Sequence, residues 1–224
     1  MPSAISVGSA EITLTESARN LGFIMSNTMS TDKHVSQICR SAYAALHQIA
    51  SIRSYLDTDT TQKPVCALVL SRLDYANSLL ASSPKYLVER LQRVQNSAAR
   101  LVLKAKKRDH ITPLLRSLHW LPVQARIQYK VLSHCHNFFM NSAPAYISDL
   151  LTIYRPTRSL RSSSDSRMLS VPKVRRQYGE RAFAHIGPVL WNALPYQIRH
   201  ADSNPGFKRQ LKTHLFRQYL PSDD

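Results

Sequence analysis

Glycine is scarce in this chain: Gly8, Gly22, Gly179, Gly187 and Gly206 are the five, each isolated. A loop that cradles phosphate needs several glycines at fixed spacing, so neither a GxGxxG turn nor a Walker-type loop can be built. A GxSxG nucleophile elbow is missing as well. The three cysteines, Cys39, Cys66 and Cys135, lie far apart without CxxC spacing. An odd, dispersed set argues against a disulfide framework or a zinc knuckle and fits a reducing compartment. Acids number 14 against 30 bases, and none form a strand-borne pair suited to two-metal catalysis. Asp223 and Asp224 read as a frayed tail. Asp57 and Asp59 read as turn and cap residues between helices. The nine histidines lack ligand spacing: His134 and His136 are two apart, on different faces of a helix. No run of 18 apolar residues occurs, so no membrane-spanning helix is expected. The start, MPSAISVGSAEITL, has no basic n-region, so secretion is not expected either.

What is present is a core and a lopsided charge. Hydrophobic residues make up 43%, enough for a packed interior and too many for a disordered polyelectrolyte. The formal net charge is +16. Residues 1–83 hold six bases and six acids, so the remainder carries 24 of the 30 bases, 8 of the 14 acids and the entire excess. Nucleic acid is the densest counter-charge available to such a surface. On charge alone, an anionic membrane surface is the runner-up.

The apolar pattern is mainly helical. Ala10–Leu14 alternates and Leu21–Met25 is a compact apolar run, which predicts a hairpin with TESARN as its turn. Val35, Ile38, Ala42, Leu46, Ile49 and Ile52 recur at steps of three and four, predicting a helix over about 33–55 capped by Thr31 or Asp32. A second helix opens near Thr60 or Thr61, with Pro64 in its first turn and Leu68, Leu73, Ala76 and Leu80 facing inward. A third covers about 84–104, with Leu87, Leu91, Val94, Ala98, Leu101 and Val102 inward. Short connections make these three an antiparallel bundle. Shorter helices follow, from Thr112 to Leu118, from Pro122 to Met140, and from Ala143 to Leu151. From Tyr154 to Arg176 the chain turns Ser-, Arg- and Pro-rich, an extended arm ending in a short strand at Met168–Val171. Helices return over about 178–194 and from Asp202 or Asn204 to Tyr219. Trp120 and Trp191, embedded in apolar sequence, read as core anchors.

Two basic constellations carry the functional signal. On the third helix Arg90, Arg93, Arg100 and Lys104 form a stripe opposite the Leu/Val face and lead into Lys106, Lys107 and Arg108. An ordinary solvated face interleaves Glu with Lys, but Glu89 is the only acid over 84–108. Such a stripe can contact phosphates in succession without reading bases. The second constellation is Arg155, Arg158, Arg161, Arg167, Lys173, Arg175 and Arg176, flanked by Tyr154 and Tyr178. Arginine binds phosphate bidentately and tyrosine stacks on unpaired bases. A flexible linker with incidental charge remains an open reading of this segment.

Taken together, ordered strings across the chain resemble one family. NLGFIMS at 20–26 and DKHV at 32–35 resemble the end of the reverse-transcriptase domain of non-LTR (LINE-type) retrotransposons of the jockey-like and chicken-repeat-like groups. SRLDYANSLL at 71–80, LQRVQNSAARL at 91–101, DHITPLL at 109–115 and LHWLPVQARI at 118–127 are similar to the same family. RSLRSS at 158–163, YGERAF at 178–183, LWNALP at 190–195 and FKRQLKTHLF at 207–216 extend the likeness to about residues 16–216. Ser26-Asn27 stands where the family often has Asp-Ser, and Ala76 where it often has Cys.

That resemblance implies a primer-grip-like hairpin remnant over 1–30 and a thumb-like bundle over 31–108. It further implies post-thumb helices over 109–153, a basic arm over 154–177 and C-terminal helices over 178–220. It also implies a palm upstream, carrying an aromatic-Ala-Asp-Asp turn that this chain lacks. The expectation is therefore a mainly α protein that is not an enzyme by itself. It would bind RNA or RNA–DNA duplex through Arg90, Arg93, Arg100, Lys104, Lys106, Lys107, Arg108, Arg155, Arg158, Arg161, Lys173, Arg175 and Arg176. No cofactor is expected here, magnesium belonging to the full-length parent polymerase. A palm and fingers segment of that parent is a further expected partner. Location would be intracellular, in nucleus or cytoplasm. Two alternatives stay open: a helical adaptor for a protein partner, and a pseudogene product without selected function.

Overall fold

The computed structural model describes residues 4–8, 10–13, 15–156, 167–175 and 177–221. Helices dominate, as the periodicity requires. The N-terminal segment is not one hairpin but two. Strand β1 (Ala4–Val7) pairs antiparallel with β2 (Ala10–Thr13), and β3 (Ser17–Asn20) with β4 (Phe23–Ser26). The expected pairing of 10–14 with 21–25 is thus corrected: SARN is itself a strand, and Leu21-Gly22 is the turn. Both turn residues have positive φ, 45° and 83°, the two-residue geometry whose twist matches that of the flanking strands. At Gly22 an added Cβ would also come 3.4 Å from the Tyr75 ring.

Helix α1 (Asp32–Ile52) buries Val35, Ile38, Ala42, Leu46 and Ile49 as one stripe. Thr31 precedes it without a side-chain cap, and Asp32 is tied instead to Ser30 and Tyr86. Asp57 caps α2 (Thr58–Val65), its carboxylate accepting from the Thr60 N–H at 2.7 Å. The expected second helix is not continuous. After Pro64 the backbone widens into a π turn over Cys66–Leu70, then α3 (Ser71–Asp74), left-handed Ala76 and a 3₁₀ turn over Asn77–Leu80. The wide turn rotates the face that follows. Val65, Val69, Leu70 and Leu73 are buried, and Leu68, expected inward, is 43% exposed.

Helix α4 (Lys85–Leu103) runs parallel to α1. Tyr86 donates to Asp32 near both N-termini, Arg90 to Ser36 one turn on, and Arg53 reaches Leu101 and Val102 near both C-termini. An up-down-up path through the intervening turns explains this. Then come α5 (Ile111–Ser117), α6 (Val123–Phe139) and α7 (Ala145–Ser148). Across the arm, Ile153 and Leu169 form an isolated antiparallel bridge. The expected helix over 178–194 is split into α8 (Gln177–Glu180) and α9 (Phe183–Asn192), followed by α10 (Tyr196–Arg199) and α11 (Asn204–Tyr219). Ser203, rather than Asp202 or Asn204, caps α11 by accepting from the Gly206 N–H.

Two hydrophobic cores result. The first joins Phe23, α1, the α2–α3 segment, α4, Leu115, Trp120, Val123 and Ile127, and receives Leu220 from the far end of the chain. It therefore runs well past residue 108. The second gathers Ala125, Leu132, Cys135, Leu169, Trp191, Phe207, Leu211 and Leu215. Helix α6 contributes to both, so it joins them. Trp120 and Trp191 are 5% and 0% exposed, the core anchors their sequence context indicated.

Candidate nucleic-acid interface

The parallel α1–α4 pair decides which cations lie together. Arg90 donates to the Ser36 hydroxyl at 3.0 Å and so clamps α4 to α1. Both Arg90 and Arg93 act electrostatically on Cys39, which fixes the side of α1 that α4 approaches. Arg40 and Tyr43 lie one and two turns beyond Ser36 on that flank, and both are exposed. His47, also exposed, continues it. Across from them α4 presents exposed Arg93 and, past its C-terminus, exposed Lys104. The sequence alone missed Arg40, Tyr43 and His47. Their three- and four-residue spacing was visible, but not the helix beside them.

Arg100 holds a loop as well as offering charge. Its guanidinium donates to the Asp109 carbonyl at 3.1 Å. Asp109 in turn accepts from the Lys106 N–H at 2.7 Å, and its own N–H donates to the Lys106 carbonyl at 3.1 Å. Lys104 ends α4 in the left-handed region, φ 53°. The loop is thus wound around one aspartate, which leaves Lys106, Lys107 and Arg108 exposed. On the outer face of α4, Glu89 pairs with Lys85 at 3.8 Å, both well exposed, a contact of little energetic weight.

The described members of the second constellation divide between exposed and inward positions. Arg155, Lys173 and Arg175 are exposed on the two arm segments that flank the Ile153–Leu169 bridge. Arg158, Arg161 and Arg176 lie outside the described residues. Arg167 points inward: it donates to the Arg199 and Ala201 carbonyls at 3.0 Å each. Among the described residues no hydrogen bond or ion pair joins this group to the α4 stripe.

Several arginines close helix ends, where the last carbonyls lack intrahelical partners and a cation suits the dipole. Buried Arg53 caps α4 through Leu101 and Val102. Arg199 holds the Asn192 and Leu194 carbonyls after α9. Arg116 reaches Leu220 and Pro221 after α11. A charge count treats all these as surface.

Three of the strings that carry the family resemblance meet in one polar network. Gln92 accepts from the Val123 N–H at 2.8 Å and donates to Gln95 and Asn96. Gln95, fully buried, donates to the Leu121 carbonyl at 2.8 Å. Arg126 donates to that same carbonyl and pairs with Asp74 at 2.6 Å. Segments 71–80, 91–101 and 118–127 are thus bolted together by their polar residues.

Candidate chemistry elsewhere is occupied by structure. Cys135 is enclosed, and burial pushes its thiol up to about 12. Burial also raises Cys39 and Cys66. His136 stacks on Phe207 at 4.0 Å and bonds Asn204 and the Ala201 carbonyl. Among the described residues no group of three or more His, Cys, Asp or Glu could hold a metal ion. The carboxylates of Asp32, Asp57, Asp74 and Asp109 all serve turns, caps or ion pairs. Among the described residues no helix is long and apolar enough to cross a membrane. Comparison with protein-family models, curated proteins and solved structures gives no match.

Proposed function

We propose that this chain is the grip-hairpin, thumb and post-thumb portion of a non-LTR retrotransposon reverse transcriptase. It binds RNA or RNA–DNA duplex by the backbone and does not polymerise alone. The observation that carries the reading is the cationic rim along α1 and α4. Arg40 and Arg93 flank the helix pair, and Lys104, Lys106, Lys107 and Arg108 extend it. No unpaired carboxylate interrupts this rim among the described residues. The ordered family-like strings support the parentage, and the palm of that parent is the segment it would work beside. Location in nucleus or cytoplasm follows from this parentage.

Backbone binding displaces counterions, so affinity must fall with salt. Five phosphate contacts give a log–log slope of about −4.5, or about 500-fold weaker binding from about 50 to 200 mM salt. The test is fluorescence anisotropy of a labelled RNA–DNA duplex with wild type and Arg40→Glu/Arg93→Glu/Lys104→Glu. The triple variant should bind at least tenfold more weakly and with a shallower slope. Unchanged affinity would remove the proposal, as would DNA synthesis by the purified chain given magnesium and nucleotides.

One observation favours the adaptor reading as a second possibility. A groove of about 690 Å³ is rimmed by exposed Met25, Met29 and Leu79, apolar surface suited to a protein partner. The pseudogene alternative makes no structural prediction.

A further inference from the structure

A second cationic feature lies apart from the α1–α4 rim. Between β3–β4, α1 and α3 there is an open pocket of about 440 Å³, lined by Arg19, His34, Gln37, Ser71, Arg72 and Tyr75 among others. Its wall is fixed by two contacts. The Tyr75 hydroxyl donates to the Leu21 carbonyl in the hairpin turn. The Phe23 ring packs on the His34 imidazole at 3.9 Å between centroids.

His34 is 4% exposed. Its Nδ1 accepts from the Ile24 N–H at 3.4 Å, which places the ring proton on Nε2. That Nε2 is enclosed and has no partner among the described residues. A buried donor left unmet is costly and rare. Burial first, and then the charge of Arg19, hold the imidazole below its ordinary value, so Arg19 sits close enough to act on it. Arg19 and Arg72 are exposed, and among the described residues no carboxylate lines the pocket. An enclosed N–H donor with two arginines and no acid is the inventory of an anion site.

We propose that this pocket binds a phosphate-type oxyanion, which pairs with Arg19 and Arg72 and, as the side chains over His34 part, accepts from the His34 Nε2–H. The group is either a phosphate of a nucleic-acid backbone or that of a small phosphate ester; both present the same oxygens. The site does not depend on duplex binding along α1 and α4.

The experiment is histidine side-chain ¹⁵N NMR of the whole chain, titrated with inorganic phosphate. The His34 Nε2–H should shift saturably at millimolar phosphate. Arg19→Gln and Arg72→Gln, both at exposed positions, should each weaken binding about tenfold, one charge-assisted hydrogen bond apiece. Lys63→Gln, on exposed α2, should leave it unchanged. A second arm adds an RNA–DNA duplex as competitor. Competition identifies the occupant as backbone phosphate, and its absence as a small ester; either supports the site. A His34 signal indifferent to phosphate overturns the proposal. So does a shift that survives Arg19→Gln combined with Arg72→Gln. Neither result bears on the triple charge-reversal test above.

Discussion

Replacing Arg53 by methionine tests whether the α4 end depends on a buried cation. The side chain is 7% exposed. Its Nε donates to the Leu101 carbonyl at 2.8 Å, one terminal nitrogen to Val102 at 2.7 Å and the other to Leu56 at 2.6 Å. Methionine keeps an apolar stem of similar reach and removes all three donors. Each enclosed carbonyl left unmet costs about 1–3 kcal/mol. Two belong to the last turn of α4, while Leu56, half-exposed, regains water. Relief from desolvating the guanidinium offsets part of the loss. The net should be about 3 kcal/mol, a large share of the roughly 5–15 kcal/mol typical of a folded domain. Lysine, with one ammonium in place of a planar fork, should recover only part. The assay is equilibrium urea unfolding, with Arg40→Met on exposed α1 as the surface control. That control should stay within about 0.5 kcal/mol. If Arg53→Met matches it, the capping argument is wrong.

Two further outcomes follow from the same geometry. Leu21 is 86% exposed and holds φ 45° in a two-residue turn; Leu21→Asn supplies the Asn-Gly pair such turns prefer and should raise stability by about 0.5–1 kcal/mol in the same unfolding assay, a decrease counting against the turn assignment. Burial is the leading cause that holds His34, His134 and His136 below the ordinary imidazole value. The unfolded chain, titrating near about 6.5, then binds more protons than the folded one just below that pH. Their contribution is complete above about pH 6.5 and declines as pH falls through the window beneath it. The urea midpoint should drop between about pH 7.5 and pH 5, and a flat profile would contradict the burial.

The sequence by itself determined the helical class, most helix faces and the two tryptophan anchors. The reason is local: Val35 to Ile49 and Leu87 to Val102 recur at the helical period, and only one face of each can be buried. Asp57 as a cap was legible for the same reason, since an acid before a Thr-rich helix start has an N–H to accept within three residues. Hairpin pairing was not, because TESARN is polar enough to read as a turn while the real turn, Leu21-Gly22, hides inside an apolar run. Nor was the inward face after Pro64, because a π turn adds a residue to the period without marking it in composition.

Only the tertiary structure decided which charges face outward together. Arg53, Arg116 and Arg167 look like surface cations in the chain and prove to hold carbonyls of distant segments, and Arg199 holds those that end the helix before it. Arg40 looks unremarkable in a charge-neutral half and is placed beside the α4 cations by the parallel packing of α1. The same holds for His34, whose unmet Nε2 depends on a hairpin and a helix that meet only in the fold. Charge composition sums over the chain; an interface depends on which side chains are left over once helix ends, loops and cores have taken theirs.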